Sequence, residues 1–136
     1  MVKTMQVDVV SPEKLLFSSE AVSVEIPGSD GDMTAMANHA PLITTLRPGI
    51  LRVVQEKGAS EYVVTGGFAE LGETVSVLAE KAVLKADFDR EMFDELVTAA
   101  QTALDLARTN MAGDAVDMAA KSLSDFNILG ENLGFK

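Results

Sequence analysis

The chain has 136 residues, 47% of them hydrophobic, which predicts one domain, or one domain with an appendage, and a real core rather than disorder. It has no cysteine and a single histidine, which excludes disulfide bonds, thiolate metal sites and multi-histidine metal centres. The net charge of −10 is spread over both halves, which argues against a nucleic-acid partner and against docking on anionic lipid.

The N-terminal segment predicts a strand and no targeting signal. Residues 4–9 alternate polar and apolar, with Met5, Val7 and Val9 on one face. The segment lacks the apolar core of a signal peptide, and no run approaches the roughly 20 apolar residues that cross a bilayer. We therefore expect a protein that is cytosolic or lies beside a membrane without inserting into it.

Alternating segments continue to about residue 84. A short apolar piece at 15–17 precedes 21–26, where Val22, Val24 and Ile26 are expected to point inward. Turns are predicted at Lys57-Gly58 and Gly72, a break or bulge at Gly66-Gly67, and further strands at 50–56, 61–65, 68–71, 74–79 and 82–84. Many short strands separated by turn signals predict an antiparallel β-sandwich or barrel.

Turn residues are concentrated between residues 27 and 49, which also contain the only histidine. Pro-Gly at 27–28, Asp-Gly at 30–31 and Pro-Gly at 48–49 are turn dipeptides, because proline presets φ and glycine accepts positive φ. We expect this stretch to form turns and short strands at one end of the β domain, where it presents side chains to a partner.

The sequence period changes at about residue 87, where helices are predicted. Asp87 or Asp89 can cap a first helix that ends near Asn110, and Asp114 can cap a second one after Gly113. The short loop predicts an antiparallel hairpin with alanine-rich facing surfaces and a glycine-broken tail, 127–136, that frays. The expected apolar positions are Phe88, Met92, Leu96, Ala99, Ala103 and Ala107, widened by Phe93, Val97, Ala100 and Leu104, and then Ala115, Met118, Ala119, Leu123 and Phe126.

The predicted fold is therefore mainly β plus α. An N-terminal antiparallel β-sandwich covers 1–86, and a C-terminal two-helix antiparallel hairpin covers 87–136.

Candidate catalytic groups are few. His39 has no partner for nucleophilic catalysis, and Asp30 and Asp32 lack the further oxygen donors of a calcium loop. Gly66-Gly67 does not open a helix as a nucleotide-binding loop does. We predict structural or interface roles for these residues, no metal site and no cofactor.

Three stretches carry a family resemblance: VVSPEKLLFSSEAVSVEIPGSDGDM at 9–33, HAPLITTLRPG at 39–49 and GGFAELGETVSVLAEKA at 66–82. They resemble the N-terminal domain of the epsilon subunit of F-type ATP synthases. The resemblance implies the same sandwich and hairpin, in a non-catalytic central-stalk subunit that binds the gamma subunit and the membrane rotor ring (c-ring). It also implies coupling of proton flow to ATP synthesis, at the cytoplasmic face of the bacterial inner membrane.

The resemblance also implies an interface. The acidic residue at the Asp32 position lies, in that family, on the surface that meets the polar loops of the rotor ring. Ser11 matches another position on the same face, and His39 is grouped with these two. Ser11, Asp32 and His39 are therefore the predicted rotor-ring interface.

Some bacterial members of the family bind ATP through Ile/Leu-Asp-x-x-Arg-Ala at the start of the first helix. Here the matching stretch keeps only Asp89, because Met92 stands at the arginine position and Phe93 at the alanine position. Arg90 lies about one helical step away. Asp89 and Arg90 are thus a degenerate nucleotide site, and we predict no tight ATP binding.

The hairpin is also a candidate regulator of ATP hydrolysis, through contact with the alpha and beta subunits. Between residues 87 and 127 its only bases are Arg90, Arg108 and Lys121. An acidic hairpin would repel an acidic segment of the catalytic subunit, so we expect weak inhibition. The alternative is that the hairpin simply packs on the sandwich.

Two other readings stay open at this point. A small β-sandwich enzyme or ligand binder would show a deep pocket with convergent charged groups, whereas a stalk subunit would show flat surfaces with exposed apolar residues. The second reading is an organelle homologue of the same subunit. The chain shows no Arg-rich transit segment, but a mature organelle form would lack one as well.

Overall fold

The structure is a computed structural model that describes residues 3–135. The chain divides into two compact units, residues 1–87 and 88–136. Strands make up the first unit and two helices the second. The predicted fold class, a sandwich followed by a pair of helices, is confirmed.

The first unit contains ten strands within the described residues, and a short 3-10 turn, Lys85–Asp87, follows them. The strands are β1 (Met5–Val10), β2 (Leu15–Ala21), β3 (Ser23–Gly28), β4 (Gly31–Met36), β5 (Leu42–Thr45), β6 (Gly49–Gln55), β7 (Gly58–Val64), β8 (Gly67–Leu71), β9 (Val75–Ala79) and β10 (Ala82–Leu84).

The ten strands form two five-stranded sheets, with the orders β2-β1-β9-β8-β5 and β10-β7-β6-β3-β4. Neighbouring strands are antiparallel with one exception among the described pairs, since β1 and β9 run parallel. The first strand of the chain therefore pairs with the ninth.

The core of this unit lies between the two sheets, because alternate residues of each strand point to the same face. Val24 and Ile26 are buried as predicted, but Val22 is only half-buried because it lies in the bend between β2 and β3. The least exposed core residues also include Val7, Val9, Leu51, Val53, Val64, Val75 and Val77.

The prediction of a Pro-Gly turn at 27–28 is wrong. Both residues close β3, and the chain turns instead through Ser29 and Asp30. A Cβ atom on Gly28 would lie 2.7 Å from the carbonyl oxygen of Gly31 across the hairpin. Glycine is therefore required here by the close approach of two backbones, not by the turn itself.

Two other glycine predictions fare differently. The predicted turn at 57–58 is displaced by one residue, since Glu56 and Lys57 form it and Gly58 begins β7. The predicted break before β8 is confirmed, because Gly67 has a φ of 115° and lies against the backbone of Leu78. A Cβ atom there would lie 2.0 Å from the Leu78 carbonyl oxygen.

The second unit contains α1 (Arg90–Thr109) and α2 (Gly113–Asn132). The Asp89 carboxylate caps α1 by accepting the Met92 N–H at 2.8 Å, as predicted, and the helix ends at Asn110. The cap predicted at Asp114 is wrong. The Ala112 carbonyl already accepts the Val116 N–H at 2.9 Å, so Asp114 lies inside the first turn, where its charge suits the helix dipole.

The buried face of the helices is narrower than predicted. It comprises Phe93, Ala100, Leu104 and Ala107 of α1 and Phe126, Leu129 and Gly130 of α2. The predicted core positions Met92, Ala99, Ala103, Ala115 and Met118 are exposed, and Ala119 and Leu123 are half-buried. The four buried residues of α1 all belong to the predicted stripe, but of its alanines only Ala100 and Ala107 are buried, so the predicted alanine-to-alanine contact is confirmed only in part.

The prediction that the tail frays is wrong for residues 127–135. Helix α2 continues to Asn132, and beyond it the ring of Phe135 lies 5.3 Å from that of Phe93 and 6.2 Å from that of Phe88. Arg90 Nη1 donates to the Phe135 carbonyl oxygen at 2.7 Å. The Phe93 ring can occupy this position only because residue 130 is glycine. A Cβ atom there would lie 2.3 Å from the ring.

Candidate functional site

One end of the sandwich gathers side chains from both sheets. In the first sheet the register pairs Val10 with Leu78, Leu78 with Phe68, and Phe68 with Thr45. These four residues form a row across the sheet. The Ser29 N–H then donates to the Thr45 carbonyl oxygen at 2.9 Å, which links the row to the turn between β3 and β4. We call the surface along this row the β3–β4 end.

Ser11 and Asp32 both lie at the β3–β4 end. Ser11 follows the last residue of β1, and its N–H donates to the Lys14 carbonyl oxygen at 3.0 Å in the turn that leads to β2. Asp32 is the second residue of β4, directly after the turn, and its side chain is 79% exposed. The structure thus brings two of the three predicted interface residues to one surface.

His39 does not lie at this end. It follows the far end of β4, where Met36 pairs with Ser23. At about 3.3 Å per residue, the strand alone separates Asp32 from Met36 by roughly 13 Å. The imidazole Nδ1 lies 2.6 Å from the Ala40 carbonyl oxygen, which fits a residue that shapes the connection to β5.

Arg47 is a residue of the β3–β4 end that the sequence reasoning did not single out. Its guanidinium forms an ion pair with the Asp32 carboxylate, and its Nη1 donates to the Gly28 carbonyl oxygen at 2.5 Å. The backbone N–H of Arg47 donates to the Pro27 carbonyl oxygen at 2.9 Å. The sequence contained one signal for this role. Arg47 is the only lysine or arginine between residues 27 and 49, a stretch that also contains Asp30 and Asp32.

An open apolar surface lies beside Ser11 at the same end. Phe68 is 40% exposed and Leu78 is 38% exposed. The shallow groove around them is completed by Val10, Ser11, Pro12, Gly67, Ala79 and Glu80. Its lining contains a single charged group, so it does not resemble a catalytic cleft with convergent charges.

A second apolar surface lies along strand β5, which is an edge of the first sheet. Ile43 is 68% exposed and Leu42 is 42% exposed, and Met36, at the end of the edge strand β4, is 58% exposed. Large exposed apolar side chains on sheet edges are typical of surfaces that bind another protein.

The two residues of the degenerate nucleotide motif are engaged within their own unit. The Asp89 carboxylate caps α1, and Arg90 contacts Asp94 at 3.1 Å in addition to the Phe135 carbonyl oxygen. The adjoining surface of α1 carries Glu91 and Glu95. A phosphate would therefore meet carboxylates and an arginine that already has two partners.

The residues described show few other features of a chemical site. Between residues 3 and 135, no three histidine or acidic side chains lie close enough together to hold a metal ion. No helix in that part of the chain is long and apolar enough to cross a bilayer.

Comparison with known proteins adds to this geometry. Residues 4–85 match the family model described as ATP synthase, Delta/Epsilon chain, beta-sandwich domain. The ATP synthase epsilon chain of Fuscovulum blasticum is 50% identical over 136 residues, covering 99% of this chain and 100% of that protein. The ATP synthase epsilon chain of Ruegeria sp. (strain TM1040) is 49% identical over 135 residues, covering 98% of each.

A solved structure shows the same fold. A chain in the cryo-EM structure of the Euglena gracilis mitochondrial ATP synthase, OSCP/F1/c-ring, superposes with a TM-score of 0.71 at 22% identity. The match covers 96% of this chain and 81% of that one.

Proposed function

Because the chain belongs to the family of ATP synthase epsilon chains, we propose that it is a non-catalytic subunit of the central stalk of a proton-translocating F-type ATP synthase. In this role it binds the gamma subunit and the membrane rotor ring, and it couples proton flow to ATP synthesis. The observation that carries the proposal is the β3–β4 end, where polar and apolar groups of both sheets meet on an open surface.

We assign the rotor-ring contact to the β3–β4 end. Ser11 and Asp32 both lie at this end, and Ser11 adjoins the exposed side chains of Phe68 and Leu78. A surface with an apolar patch and a few polar groups suits a protein partner better than a small substrate. His39 lies at the opposite end of β4, so we leave it out of this contact.

We assign the gamma contact to the apolar edge formed by Leu42, Ile43 and Met36. These side chains come from edge strands of both sheets, so a partner that covers them would also protect the free strand edges.

The non-catalytic role is supported by how the candidate catalytic groups are used. His39 contacts the neighbouring backbone, Asp89 caps a helix, and Arg90 holds the C-terminal segment. The alternative of a small enzyme or ligand binder requires a cleft with convergent charges, and the surface at the β3–β4 end is open and mostly apolar.

For the hairpin we propose at most a weak regulatory contact with the alpha and beta subunits, without tight nucleotide binding. The engagement of Arg90 and the acidic surface around it support this view. The bacterial sources of the relatives favour the cytoplasmic face of a bacterial inner membrane over an organelle.

Gel filtration with a gamma subunit from the same source tests the gamma assignment. We expect the wild-type chain to co-elute with gamma, and Ile43→Glu to abolish co-elution because a charge would be buried in an apolar contact. Leu15→Glu is the matched control, since Leu15 is 59% exposed on β2, the other edge of the same sheet. Failure of the folded wild-type chain to bind gamma would contradict the stalk role.

A further inference from the structure

Helix α2 ends in a turn that brings the chain back to α1. The Gly134 N–H donates to the Glu131 carbonyl oxygen at 3.2 Å, and the Phe135 N–H donates to the Gly130 carbonyl oxygen at 2.8 Å. These two bonds form a Schellman motif. Gly134 has a φ of 78°, the left-handed conformation that this motif requires and that glycine adopts without steric penalty. The backbone of Phe135 is therefore fixed just beyond the helix.

Phe135 contacts the beginning of α1 through its ring and through its backbone. The ring lies 5.3 Å from that of Phe93 and 6.2 Å from that of Phe88, within the range of favourable aromatic pairs. The carbonyl oxygen accepts a hydrogen bond from Arg90 Nη1 at 2.7 Å, and a charged donor makes this a strong bond. We call residues 133–135 the C-terminal clasp.

Burial along α2 is uneven. The buried residues of this helix, Phe126, Leu129 and Gly130, all lie in its second half, close to the clasp. In the first half Val116 and Ala119 are only half-buried. A segment with few buried apolar contacts has low local stability. The two helices are therefore held together mainly at the end where the clasp lies.

The charges of the two helices oppose their pairing. Residues 88–135 contain nine acidic and three basic side chains. Like charges on neighbouring helices repel each other, and salt screens this repulsion. Without the clasp, α2 would keep few buried contacts to offset it.

We infer that the C-terminal clasp holds α2 on α1, so that release of Phe135 lets α2 separate from α1 while the sandwich stays folded. This inference goes beyond the proposed function and does not depend on it, because it concerns contacts within the second unit alone. Separation would expose the buried stripe of α1, which includes Phe93, Ala100 and Leu104. Access to that stripe thus depends on the state of the clasp.

Hydrogen exchange of the full chain, resolved by residue, tests this inference. Phe135→Ala removes the ring and keeps the backbone of the clasp. We expect the amides of residues 116–130 to exchange at least about tenfold faster than in wild type, since the variant loses two aromatic contacts. The amides of β1 and β9, which lie inside the first sheet, should keep their wild-type protection.

A distance measurement distinguishes separation of the helices from fraying within α2. The chain has no cysteine, so spin labels attach only to the introduced Thr98→Cys and Ser124→Cys, at exposed positions of α1 and α2. By double electron–electron resonance we expect one short distance in the otherwise wild-type chain and an additional longer one with Phe135→Ala. Raising the ionic strength should reduce the longer population, because salt screens the repulsion between the helices.

Two further variants complete the test. Gly134→Ala keeps the Phe135 ring but strains the turn that positions it, and we expect about fivefold faster exchange in α2. Met118→Ala is the matched control, since it also removes a large apolar side chain from the second unit, and Met118 is 74% exposed. Its exchange rates should stay within about twofold of wild type.

Three results would overturn the inference. The first is exchange in α2 of Phe135→Ala or Gly134→Ala that stays within about twofold of wild type. The second is an equal loss of protection in the sandwich, which would show that the substitution destabilises the whole chain. The third is a single short distance between the labels in Phe135→Ala, which would show that α2 frays without leaving α1.

Discussion

Tyr62 shows at the scale of one residue how burial determines chemistry. It is the only tyrosine of the chain, is 4% exposed, and donates from its hydroxyl to the Leu16 carbonyl oxygen at 3.4 Å. Burial raises the pKa of the Tyr62 hydroxyl above its ordinary value of 10.0, because the phenolate would lose its hydration. Its contribution to stability is therefore fully present below pH 10 and is lost as the pH rises through the raised pKa.

Tyr62→Phe tests this linkage. We expect the free energy of unfolding of wild type to exceed that of the variant by about 1 kcal/mol at neutral pH, from one hydrogen bond. The difference should shrink above pH 10, where only the unfolded wild type releases its proton. Urea unfolding at several pH values measures it, and absorbance of the tyrosinate reports on this single residue. A difference that does not change with pH would contradict the raised pKa.

The residues at the β3–β4 end could be predicted only in part. The resemblance alone names Ser11 and Asp32 as interface residues, whereas local sequence shows only that each lies in or beside a turn. The Asp32–Arg47 pair could not be found in this way. It depends on the chain returning from β5 past the β3–β4 turn, and turn dipeptides do not encode that path.

At the scale of elements, Gly130 of α2 packs directly against the ring of Phe93 of α1. A methyl group at Gly130 would lie 2.3 Å from the Phe93 ring, so Gly130→Ala should overpack the contact. We expect it to reduce the free energy of unfolding by about 1–3 kcal/mol. Thermal unfolding of the full chain, followed by helical circular dichroism, measures the effect.

Gly113→Ala is the control for that substitution. Gly113 also lies in α2, and nothing is within 4 Å of the Cβ atom that would be added there. Alanine should leave stability unchanged or raise it by up to about 1 kcal/mol, through helix propensity alone. Equal destabilisation by both substitutions would show that Gly130 is not needed for packing.

The helices could be located from the sequence, but their buried faces only in part, because the predicted stripe of α1 contains its four buried residues and several exposed ones. The N-cap at Asp89 and the end at Asn110 have local signals, and both are confirmed. The buried stripe of α1 has no such local signal, because apolar residues and alanines occur around much of the circumference of the helix. Adjacent stripes through Met92 and through Phe93 then fit the period equally well, and only contact with α2 decides between them.

For the whole molecule, the net charge of −10 predicts electrostatic steering toward a basic partner surface. We expect the association rate with the gamma subunit to fall as ionic strength rises, while the dissociation rate changes little. Stopped-flow mixing or biolayer interferometry over a series of salt concentrations measures both rates. An association rate that is independent of salt would indicate that the acidic surface serves solubility alone.

The overall architecture could be predicted because the spacing of apolar residues changes once, near residue 87, from a period of two residues to a period of about 3.6 residues. The order of strands within the sheets was not accessible. Alternation shows which face of a strand is buried, but it carries no information on which strand lies beside it. The parallel pairing of β1 with β9 is the clearest case.

That pairing has a consequence for how the protein is made. β1 lies inside its sheet between β2 and β9, so one of its edges has no partner until residues 75–79 have left the ribosome. The nascent chain must keep this early strand from pairing with other chains while the rest is synthesised. Contacts between residues so far apart in sequence also slow folding, so completion of β9 should be the step that commits the sandwich to its native form.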